Sequence, residues 1–153
     1  MSIAQEKQAQ RAAGKAARRA LPESVRDAAS RALCQRVQET EAFRSARRIL
    51  LYAAFGAEAD LSVLADAARQ MGKQVAYPIC GEDFSLTAAV PGPDGWEIGQ
   101  YGIRTPILER AELLAPEQLD LVLVPCTAFD ADCFRVGMGK GYYDRYLPRC
   151  KHA

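Results

Sequence analysis

The spacing of apolar residues changes along the chain, and these changes predict alternating helices and strands. Residues 3–20 are rich in alanine, lysine, arginine and glutamine, all of which favour a helix. A second helix is predicted over about residues 22–39, because its apolar positions recur with a helical period and Pro22 suits the first helical position. The recurring positions are Val25, Ala28, Ala29, Ala32, Leu33 and Val37.

Two apolar segments with a helix between them predict a βαβ unit. Residues 47–55 carry a short continuous apolar run after two arginines, which is typical of a buried strand in a parallel sheet. Residues 61–71 have the pattern of a helix, and Gly72 suits the position that ends it. Residues 73–80 then form a second strand, parallel to the first.

The middle of the chain gives weaker signals than its ends. Residues 84–90 alternate in polarity, as an edge or antiparallel strand does, and residues 96–107 favour an irregular connection. We predict a short helix over residues 111–117 and the clearest strand of the chain over residues 119–125. After a glycine-rich loop, a last helix is predicted from Tyr142 to Cys150.

These elements predict a single α/β domain over residues 1–153, with a mostly parallel sheet flanked by helices in a Rossmann-like three-layer arrangement. The length of 153 residues is that of one ordinary domain. With a net charge of +1, the protein as a whole is not expected to bind nucleic acid. No apolar run approaches the ~20 residues that a membrane-spanning helix needs.

The histidine and cysteine content limits the kinds of metal site, catalytic triad and disulfide that the chain can form. The only histidine, His152, is second from the end, which argues against a histidine-rich metal site and against a Ser-His or Cys-His triad. The five cysteines are irregularly spaced and form no CxxC pair, so free thiols in a reducing cytoplasm are expected.

The segment FRVGMGKGYYDRYL, residues 134–147, predicts an anion site. It follows the strand over residues 119–125, and ligands of open α/β sheets gather at the carboxyl ends of the strands. Its glycines let backbone N–H groups approach a ligand closely, while Arg135 and Lys140 add full positive charges. Phosphate is the favoured anion, and a tight glycine turn that eases packing is the alternative. The spacing matches neither a Walker loop nor GxGxxG.

Three residues after the loop allow two interpretations each. Asp144 lies in the first turn of the predicted helix, where an acid is favoured by the helix dipole, but beside a phosphate it also suits Mg²⁺. Tyr142 and Tyr143 either pack in the core and at its rim or contact the ligand.

The region DLVLVPCTAFDADCFRVGMGKGYYDRYL, residues 120–147, resembles the signature of the 5-formyltetrahydrofolate cyclo-ligases, also called methenyltetrahydrofolate synthetases. Upstream segments resemble the family in the same order. These segments are KQAQR at 7–11, ILLYAAFGAEAD at 49–60, KQVAYPIC at 73–80 and QYGIRTP at 100–106. The resemblance therefore covers nearly the whole chain, and its final motif is the most specific.

The resemblance implies a ligase of one-carbon metabolism. Its reaction converts 5-formyltetrahydrofolate to 5,10-methenyltetrahydrofolate with ATP as co-substrate, Mg²⁺ as cofactor, and release of ADP and phosphate. The alternative is a non-catalytic nucleotide- or folate-binding truncated paralogue. A sugar-phosphate isomerase that uses the anion site without ATP is a third hypothesis, weakened by the lack of an acid–base pair beside the loop. Small molecules are the expected partners, and a monomer or dimer in the cytoplasm is expected.

The resemblance also assigns residue roles. Lys140 and Arg135 are the implied catalytic residues, Asp144 the metal ligand, and Glu58 the carboxylate that binds the pterin. The implied ATP-binding residues are Lys7, Gln8, Ala9, Gln10, Arg11, Arg135, Val136, Gly137, Met138, Gly139, Lys140, Gly141, Tyr142 and Tyr143. The implied substrate-binding residues are Arg11, Ala53, Glu58, Met138, Gly139, Lys140, Gly141 and Tyr142.

The chain departs from the family pattern in three places. Cys126 and Cys133 stand where the pattern has glycines, so a stiffer or more crowded loop is expected. The family pattern continues for further strands and a second acidic residue. We therefore expect the sheet to lack the family's C-terminal strands, and the activity of this length of chain to be reduced.

Overall fold

The computed structural model describes all residues, 1–153, in five helices, nine strands and several short 3₁₀ turns. The helices are α1 (Ile3–Ala20), α2 (Glu23–Glu39), α3 (Glu41–Ser45), α4 (Ser62–Gln70) and α5 (Tyr142–Tyr146). The strands are β1 (Arg48–Leu50), β2 (Gln74–Cys80), β3 (Leu86–Pro91), β4 (Trp96–Ile98), β5 (Arg104–Pro106), β6 (Ala111–Leu114), β7 (Leu121–Val122), β8 (Ala128–Phe129) and β9 (Arg135–Val136).

The main sheet has five strands in the order β6-β3-β2-β1-β7. Its core is parallel, because β1 pairs with β2 on one side and with β7 on the other. Strand β3 joins β2 antiparallel, and β6 joins β3 antiparallel at the edge. The predicted α/β class and the predicted β1-α4-β2 unit are therefore confirmed, and the parallel core is extended by an antiparallel pair.

Alternate residues at the end of β1 and directly after it supply the two hydrophobic cores on the two faces of this sheet. Ile49 and Leu51 pack with α2, α3 and α4 on one face, where Phe43 and Leu64 are also fully buried. Leu50 points to the other face, which α5 and the following 3₁₀ turn cover. Since side chains alternate across a strand, a single continuous apolar run serves both faces, with each buried leucine or isoleucine contributing about 1.5–3 kcal/mol.

The prediction of a helix over residues 111–117 was wrong. Residues Ala111–Leu114 form the edge strand β6, and a 3₁₀ turn follows over Pro116–Gln118. Strand β3 needs a partner for its outer backbone groups, and β6 supplies it with a register that runs from Ala88–Leu114 to Pro91–Ala111. The segment 96–107 is also more regular than predicted, because β4 and β5 pair as an antiparallel hairpin.

Several predicted boundaries were too wide. Strand β1 covers three residues of the predicted segment 47–55, and β7 covers two of 119–125. The predicted last helix divides into α5 and a 3₁₀ turn that contains Pro148. Pro22 is the residue before α2 rather than its first residue. Helix α3 and the hairpin β8–β9 were not predicted. None of the helices combines the length and the apolar character needed to span a membrane.

The hairpin β8–β9 presents the glycine loop. Ala128 pairs with Val136 and Phe129 with Arg135, so the loop begins directly after β9 and runs into α5. The hairpin turn contains Cys133 at a φ of +67°, a left-handed conformation that favours glycine. Cys133 therefore lies in the hairpin turn, outside the glycine loop, and the stiffer or more crowded loop stays a prediction.

Candidate functional site

The glycine loop offers a row of free backbone donors. None of the N–H groups of residues 137–141 donates to a protein acceptor, and residues 138–140 are exposed, so a ligand from solvent can reach these donors. Gly139 and Gly141 have φ values of +97° and +74°, which keep the loop in a shape that L-residues with side chains rarely adopt. Successive free N–H groups on such a concave backbone are a typical anion-binding arrangement.

Each of the three loop glycines has a guanidinium group against it. A Cβ added at Gly137 would lie 2.9 Å from Nη1 of Arg135, and one at Gly141 would lie 2.7 Å from Nη1 of Arg145. At Gly139 the added atom would lie 3.3 Å from Cζ of Arg11. The missing side chains thus make room for three positive charges around the free N–H groups.

Two of these arginines also hold carbonyl groups of the loop. Arg11 Nε donates to the Gly137 carbonyl at 2.8 Å, and Arg145 Nη1 donates to the Lys140 carbonyl at 2.8 Å. In a trans peptide the C=O and the following N–H point in opposite directions. These two bonds therefore fix the directions of the Met138 and Gly141 N–H groups. The Lys140 side chain is exposed and makes no hydrogen bond within the protein.

The predicted catalytic arginine and the predicted metal ligand form an ion pair with each other. Arg135 Nη2 lies 2.9 Å from Asp144 Oδ1, and the two side chains are 22% and 79% exposed. The Arg135 guanidinium also lies 5.9 Å from the centre of the Tyr143 ring. The structure thus brings Arg135 and Asp144 together at the mouth of the loop.

Helix α1 reaches the site through its middle. Arg11 contacts the loop as described, and Arg18 Nη1 donates to the Cys126 carbonyl at 3.2 Å. The other predicted ATP-binding residues of α1, Lys7, Gln8, Ala9 and Gln10, are exposed, and of these only Gln8 makes a side-chain hydrogen bond, to Arg11 at 3.5 Å. Lys7 has no protein partner in the structure, so its role remains a prediction.

A cavity of about 670 Å³ lies outside the glycine loop, and none of the loop residues line it. It is bounded by α2, α4, the segment after β1, and the hairpin β4–β5, and both Ala53 and Glu58 line it. Glu58 Oε2 accepts the Phe55 N–H at 2.9 Å, a bond within the loop that follows β1, while Oε1 has no protein partner. The cavity also carries Trp96, whose ring lies 4.1 Å from the Arg104 guanidinium carbon.

Tyr143 directly follows the glycine loop and is near enough to Glu58 and Tyr52 of the cavity for their charges to act on it. Its hydroxyl is buried and has no hydrogen-bond partner. Burial raises the pKa of Tyr143, and the negative charges of Cys80 and Glu58 add to that effect. Burial and the Glu58 carboxylate likewise raise the pKa of Tyr52, which lines the cavity, to about 12. A neutral, unpartnered hydroxyl beside Glu58 is able to donate a hydrogen bond to a bound ligand.

Tyr142 contacts the turn after β2 through its hydroxyl and its ring. Its hydroxyl donates to the Gly81 carbonyl at 3.2 Å and lies 3.4 Å from the Tyr101 hydroxyl. The hydrogen bond with Tyr101 is the main reason why the pKa of Tyr142 is raised to about 12. The ring packs on Phe84, 5.8 Å between centres. Packing against the turn after β2 is therefore at least part of the role of Tyr142.

The residues around the loop suit a phosphate-bridged Mg²⁺ ion. No group of three or more His, Cys, Asp or Glu side chains converges anywhere in the protein. Asp144 is the acidic side chain at the loop, and it is largely exposed. Mg²⁺ typically keeps several waters and binds through one or two carboxylates together with substrate phosphates, so one exposed carboxylate next to an anion site fits it.

Sequence reasoning predicted the loop, Arg11, Arg135 and Glu58 as site residues, and these roles stay predictions; it did not predict the contacts of Arg145 and Gly14. Arg145 lies four residues after Gly141, and a basic residue one helical turn after a glycine loop was the available signal. Gly14 lies within α1 among alanines, where glycine weakens a helix and so indicates a packing role. A Cβ at Gly14 would lie on the Thr127 carbonyl oxygen of the hairpin.

Comparison with known proteins gives a consistent family match. The model of the 5-formyltetrahydrofolate cyclo-ligase family matches residues 3–153. The chain is 29% identical over 133 residues to the probable 5-formyltetrahydrofolate cyclo-ligase of Schizosaccharomyces pombe, covering 84% of this chain and 65% of that protein. It is 30% identical over 142 residues to the 5-formyltetrahydrofolate cyclo-ligase of Mus musculus, covering 86% and 68%. The chain thus spans about two thirds of the length of these relatives.

Solved structures agree with the fold. The NMR structure of the 5,10-methenyltetrahydrofolate synthetase of Aquifex aeolicus superposes with a TM-score of 0.81 at 30% identity, covering 95% of this chain and 73% of that one. A 5,10-methenyltetrahydrofolate synthetase of Mycoplasma pneumoniae superposes with a TM-score of 0.75 at 22% identity, a similarity that concerns the fold alone.

Proposed function

Because this chain belongs to the 5-formyltetrahydrofolate cyclo-ligase family, we propose that it converts 5-formyltetrahydrofolate and ATP into 5,10-methenyltetrahydrofolate, ADP and phosphate. The observation that carries the proposal is the glycine loop, whose five consecutive free N–H groups are surrounded by Arg11, Arg135 and Arg145. A nucleoside triphosphate is the ligand whose negative charge and phosphate chain best match this arrangement.

The chemistry explains why such a site needs no histidine or nucleophilic triad. The formyl oxygen attacks the γ-phosphorus, the bond from that phosphorus to the β–γ bridging oxygen breaks, and ADP leaves. The folate N10 then attacks the activated formyl carbon and loses its proton, and the oxygen departs with phosphate. Phosphoryl transfer depends mainly on positioning and on stabilising charge, which guanidinium groups and backbone N–H groups supply.

Each side chain at the loop has a role in this proposal. Lys140 and Arg135 stabilise the transferring phosphoryl group, Lys140 as a point charge and Arg135 as a planar fork. The N–H groups of residues 137–141 hold the other phosphate oxygens. A Mg²⁺ ion held by Asp144 and the phosphates would supply additional charge neutralisation. Arg135 exchanges Asp144 for a phosphate oxygen when the nucleotide binds.

The neighbouring cavity is the proposed folate pocket. A carboxylate such as Glu58 pairs well with the amino and ring N–H donors of a pterin, since two parallel hydrogen bonds are possible. Oxygen Oε1 of Glu58 has no protein partner, and Ala53 lines the same wall. Tyr143 directly follows the loop and is near enough to Glu58 for that charge to act on its hydroxyl, so in this proposal the hydroxyl assists where the formyl group meets the γ-phosphate.

All five cysteines are free thiols, which supports the proposal that the protein works in a reducing compartment such as the cytoplasm.

The proposed function is tested by following the absorbance of the methenyl product. The purified chain is mixed with 5-formyltetrahydrofolate, ATP and Mg²⁺, with reactions that lack ATP or contain Lys140→Ala as controls. We expect product formation that requires ATP, is matched by equal ADP, and is strongly reduced in the Lys140→Ala variant. Binding of ATP and folate without any methenyl product would instead identify a non-catalytic binding protein.

A further inference from the structure

Helix α1 is attached to the rest of the protein in an unusual way. It is 18 residues long and has no buried residue, whereas most helical stability in proteins comes from an apolar face that packs on the core. Its side-chain hydrogen bonds to the rest of the protein are those of Arg11 to the Gly137 carbonyl and of Arg18 to the Cys126 carbonyl, and Gly14 makes a close approach to Thr127. All three contacts are made within two residues of β8 or β9.

The approach at Gly14 leaves no room for a side chain. A Cβ there would lie 2.1 Å from the Thr127 carbonyl oxygen and 3.0 Å from its carbonyl carbon. That oxygen has little freedom to move, because Thr127 is only 8% exposed and both its N–H and its hydroxyl donate to the Val136 carbonyl, at 2.7 and 2.8 Å. Any residue other than glycine at position 14 must push α1 away from the hairpin.

We propose that α1 is a strap that docks on the hairpin β8–β9, and that Gly14 is the positioning residue whose missing side chain allows this docking. Gly14 lies one helical turn after Arg11 on the same face. Docking at Gly14 therefore delivers the Arg11 guanidinium to Gly137 and Gly139 and completes the anion site. The proposal rests on the proposed function in that the anion is the phosphate chain of ATP.

Charge makes this docking depend on the ligand. Residues 1–20 contain five basic side chains, Lys7, Arg11, Lys15, Arg18 and Arg19, against one acid, Glu6. The receiving segment carries Arg135, Lys140 and Arg145 together with Asp130, Asp132 and Asp144, and Asp144 pairs with Arg135. At the glycines themselves, however, docking places the Arg11 guanidinium near those of Arg135 and Arg145. These like charges repel one another, and a polyphosphate between them turns the repulsion into attraction. Nucleotide binding and docking of α1 therefore reinforce each other.

The test uses the full chain with Gly14→Ala, and with Ala17→Gly as the matched control. Alanine favours a helix more than glycine does, so Gly14→Ala strengthens α1 as a helix while it blocks docking. Ala17 is exposed, so Ala17→Gly weakens the helix without touching the hairpin. Helix strength and docking thus change in opposite directions in Gly14→Ala. If Gly14 affected only the strength of the helix, Gly14→Ala would make α1 more resistant to cleavage and Ala17→Gly would make it less resistant.

Two quantities are measured: the rate of tryptic cleavage within α1, with and without Mg²⁺-ATP, and the affinity for Mg²⁺-ATP by calorimetry. In the unmodified chain, the nucleotide should slow cleavage. In Gly14→Ala, we expect faster cleavage in the absence of nucleotide, no protection by it, and about tenfold or more loss of affinity, since a charge-assisted contact is removed. Ala17→Gly should stay within about twofold in affinity.

The outcomes separate the strap from the proposed function. Unchanged affinity and unchanged protection in Gly14→Ala would overturn the strap even if ATP binds. If the unmodified chain does not bind ATP, the proposed function fails, and cleavage without nucleotide still decides whether Gly14 docks α1. Emission from Trp96, which packs on Tyr77 at 4.7 Å between centres, checks the fold of the main sheet. Should Gly14→Ala not fold, Arg18→Gln, which removes the bond to Cys126, must show the same changes to a smaller degree.

Discussion

Arg135 Nη2 lies 2.9 Å from Asp144 Oδ1, so the two residues proposed to hold phosphate and Mg²⁺ hold each other. In this pair, Arg135 binds the carboxylate that is proposed to hold Mg²⁺. The carboxylate in turn binds the guanidinium that is proposed to hold phosphate. Both charges must be released together, which makes binding of the metal and of the nucleotide mutually dependent.

Asp144→Asn is expected to make the binding of ATP independent of Mg²⁺. The change frees Arg135 and removes a negative charge beside the phosphates, so affinity for metal-free ATP should rise by about two- to fivefold, the range expected for an exposed ion pair. The increase in affinity that Mg²⁺ gives should disappear. Calorimetry of ATP with EDTA and with Mg²⁺ measures both effects. Asp132→Asn, which changes the charge equally on the neighbouring hairpin, is the control, and equal behaviour of the two variants would contradict the assignment.

Glu58→Gln is expected to weaken folate binding and to leave ATP binding intact. Glutamine still accepts the Phe55 N–H, which Glu58 Oε2 accepts at 2.9 Å, so the loop keeps its shape while the charge is lost. Losing a charge-assisted pair corresponds to about tenfold or more in affinity. Titration of 5-formyltetrahydrofolate and of ATP against the variant measures both. Glu23→Gln, in the same cavity, is the matched control, and a loss as large in that variant would show that only the overall charge matters.

Asp120 is predicted to stabilise the fold at neutral pH by joining β7 to the start of β1. Its Oδ2 accepts the N–H groups of Arg47 at 2.8 Å and Arg48 at 2.9 Å. Partial burial opposes ionisation, but these hydrogen bonds and the two positive charges lower the pKa of Asp120. The stabilisation is therefore present above the ordinary carboxyl pKa of about 3.9 and is lost as the pH falls through the lowered value.

Asp120→Asn should accordingly reduce the free energy of unfolding by about 1–2 kcal/mol at pH 7, with the difference from the unmodified chain shrinking in acid. Urea denaturation at pH 7 and pH 3 measures this. Asp66→Asn breaks an exposed ion pair with Arg69 at 3.5 Å and should cost under about 0.5 kcal/mol. A difference for Asp120→Asn that stays the same at both pH values would contradict the role of the carboxylate charge.

Cys133→Gly should stabilise the protein. Cys133 is exposed and has a φ of +67°, and a left-handed conformation costs an L-residue about 1–2 kcal/mol, part of which glycine loses again through its flexible unfolded state. A net gain of about 0.5–1 kcal/mol is expected in urea denaturation. Cys133→Ala is the control, because it removes the thiol and keeps the strain, and it should leave the stability nearly unchanged. An equal gain in both variants would assign the effect to the thiol.

The sequence was sufficient where the fold depends on local patterns. The apolar run at β1, the helix α4 and the glycine loop are each recognisable in a short window. The segment 111–117 was misassigned because its strand exists to pair with β3, and no local pattern reports the need of a distant strand for a partner.

The site was predictable to the extent that its residues stand in one motif. The loop and Arg135 are adjacent in sequence, whereas the contacts of Arg11 with Gly137 and of Gly14 with Thr127 join residues more than 100 positions apart. The ion pair between Arg135 and Asp144 could not be predicted from the sequence, because each residue on its own is equally suited to bind a ligand.

The central claim is that the backbone N–H groups of residues 137–141 hold the phosphates of ATP, and NMR tests it most directly. In a titration of the ¹⁵N-labelled chain with Mg²⁺-ATP, the amide resonances of Gly137, Met138, Gly139, Lys140 and Gly141 should shift together and saturate. The amides of α4, on the far side of the cavity, should stay in place. In Lys140→Ala the same shifts should require about tenfold or more ATP. Saturating shifts elsewhere in the protein, with the loop amides unmoved, would contradict the claim.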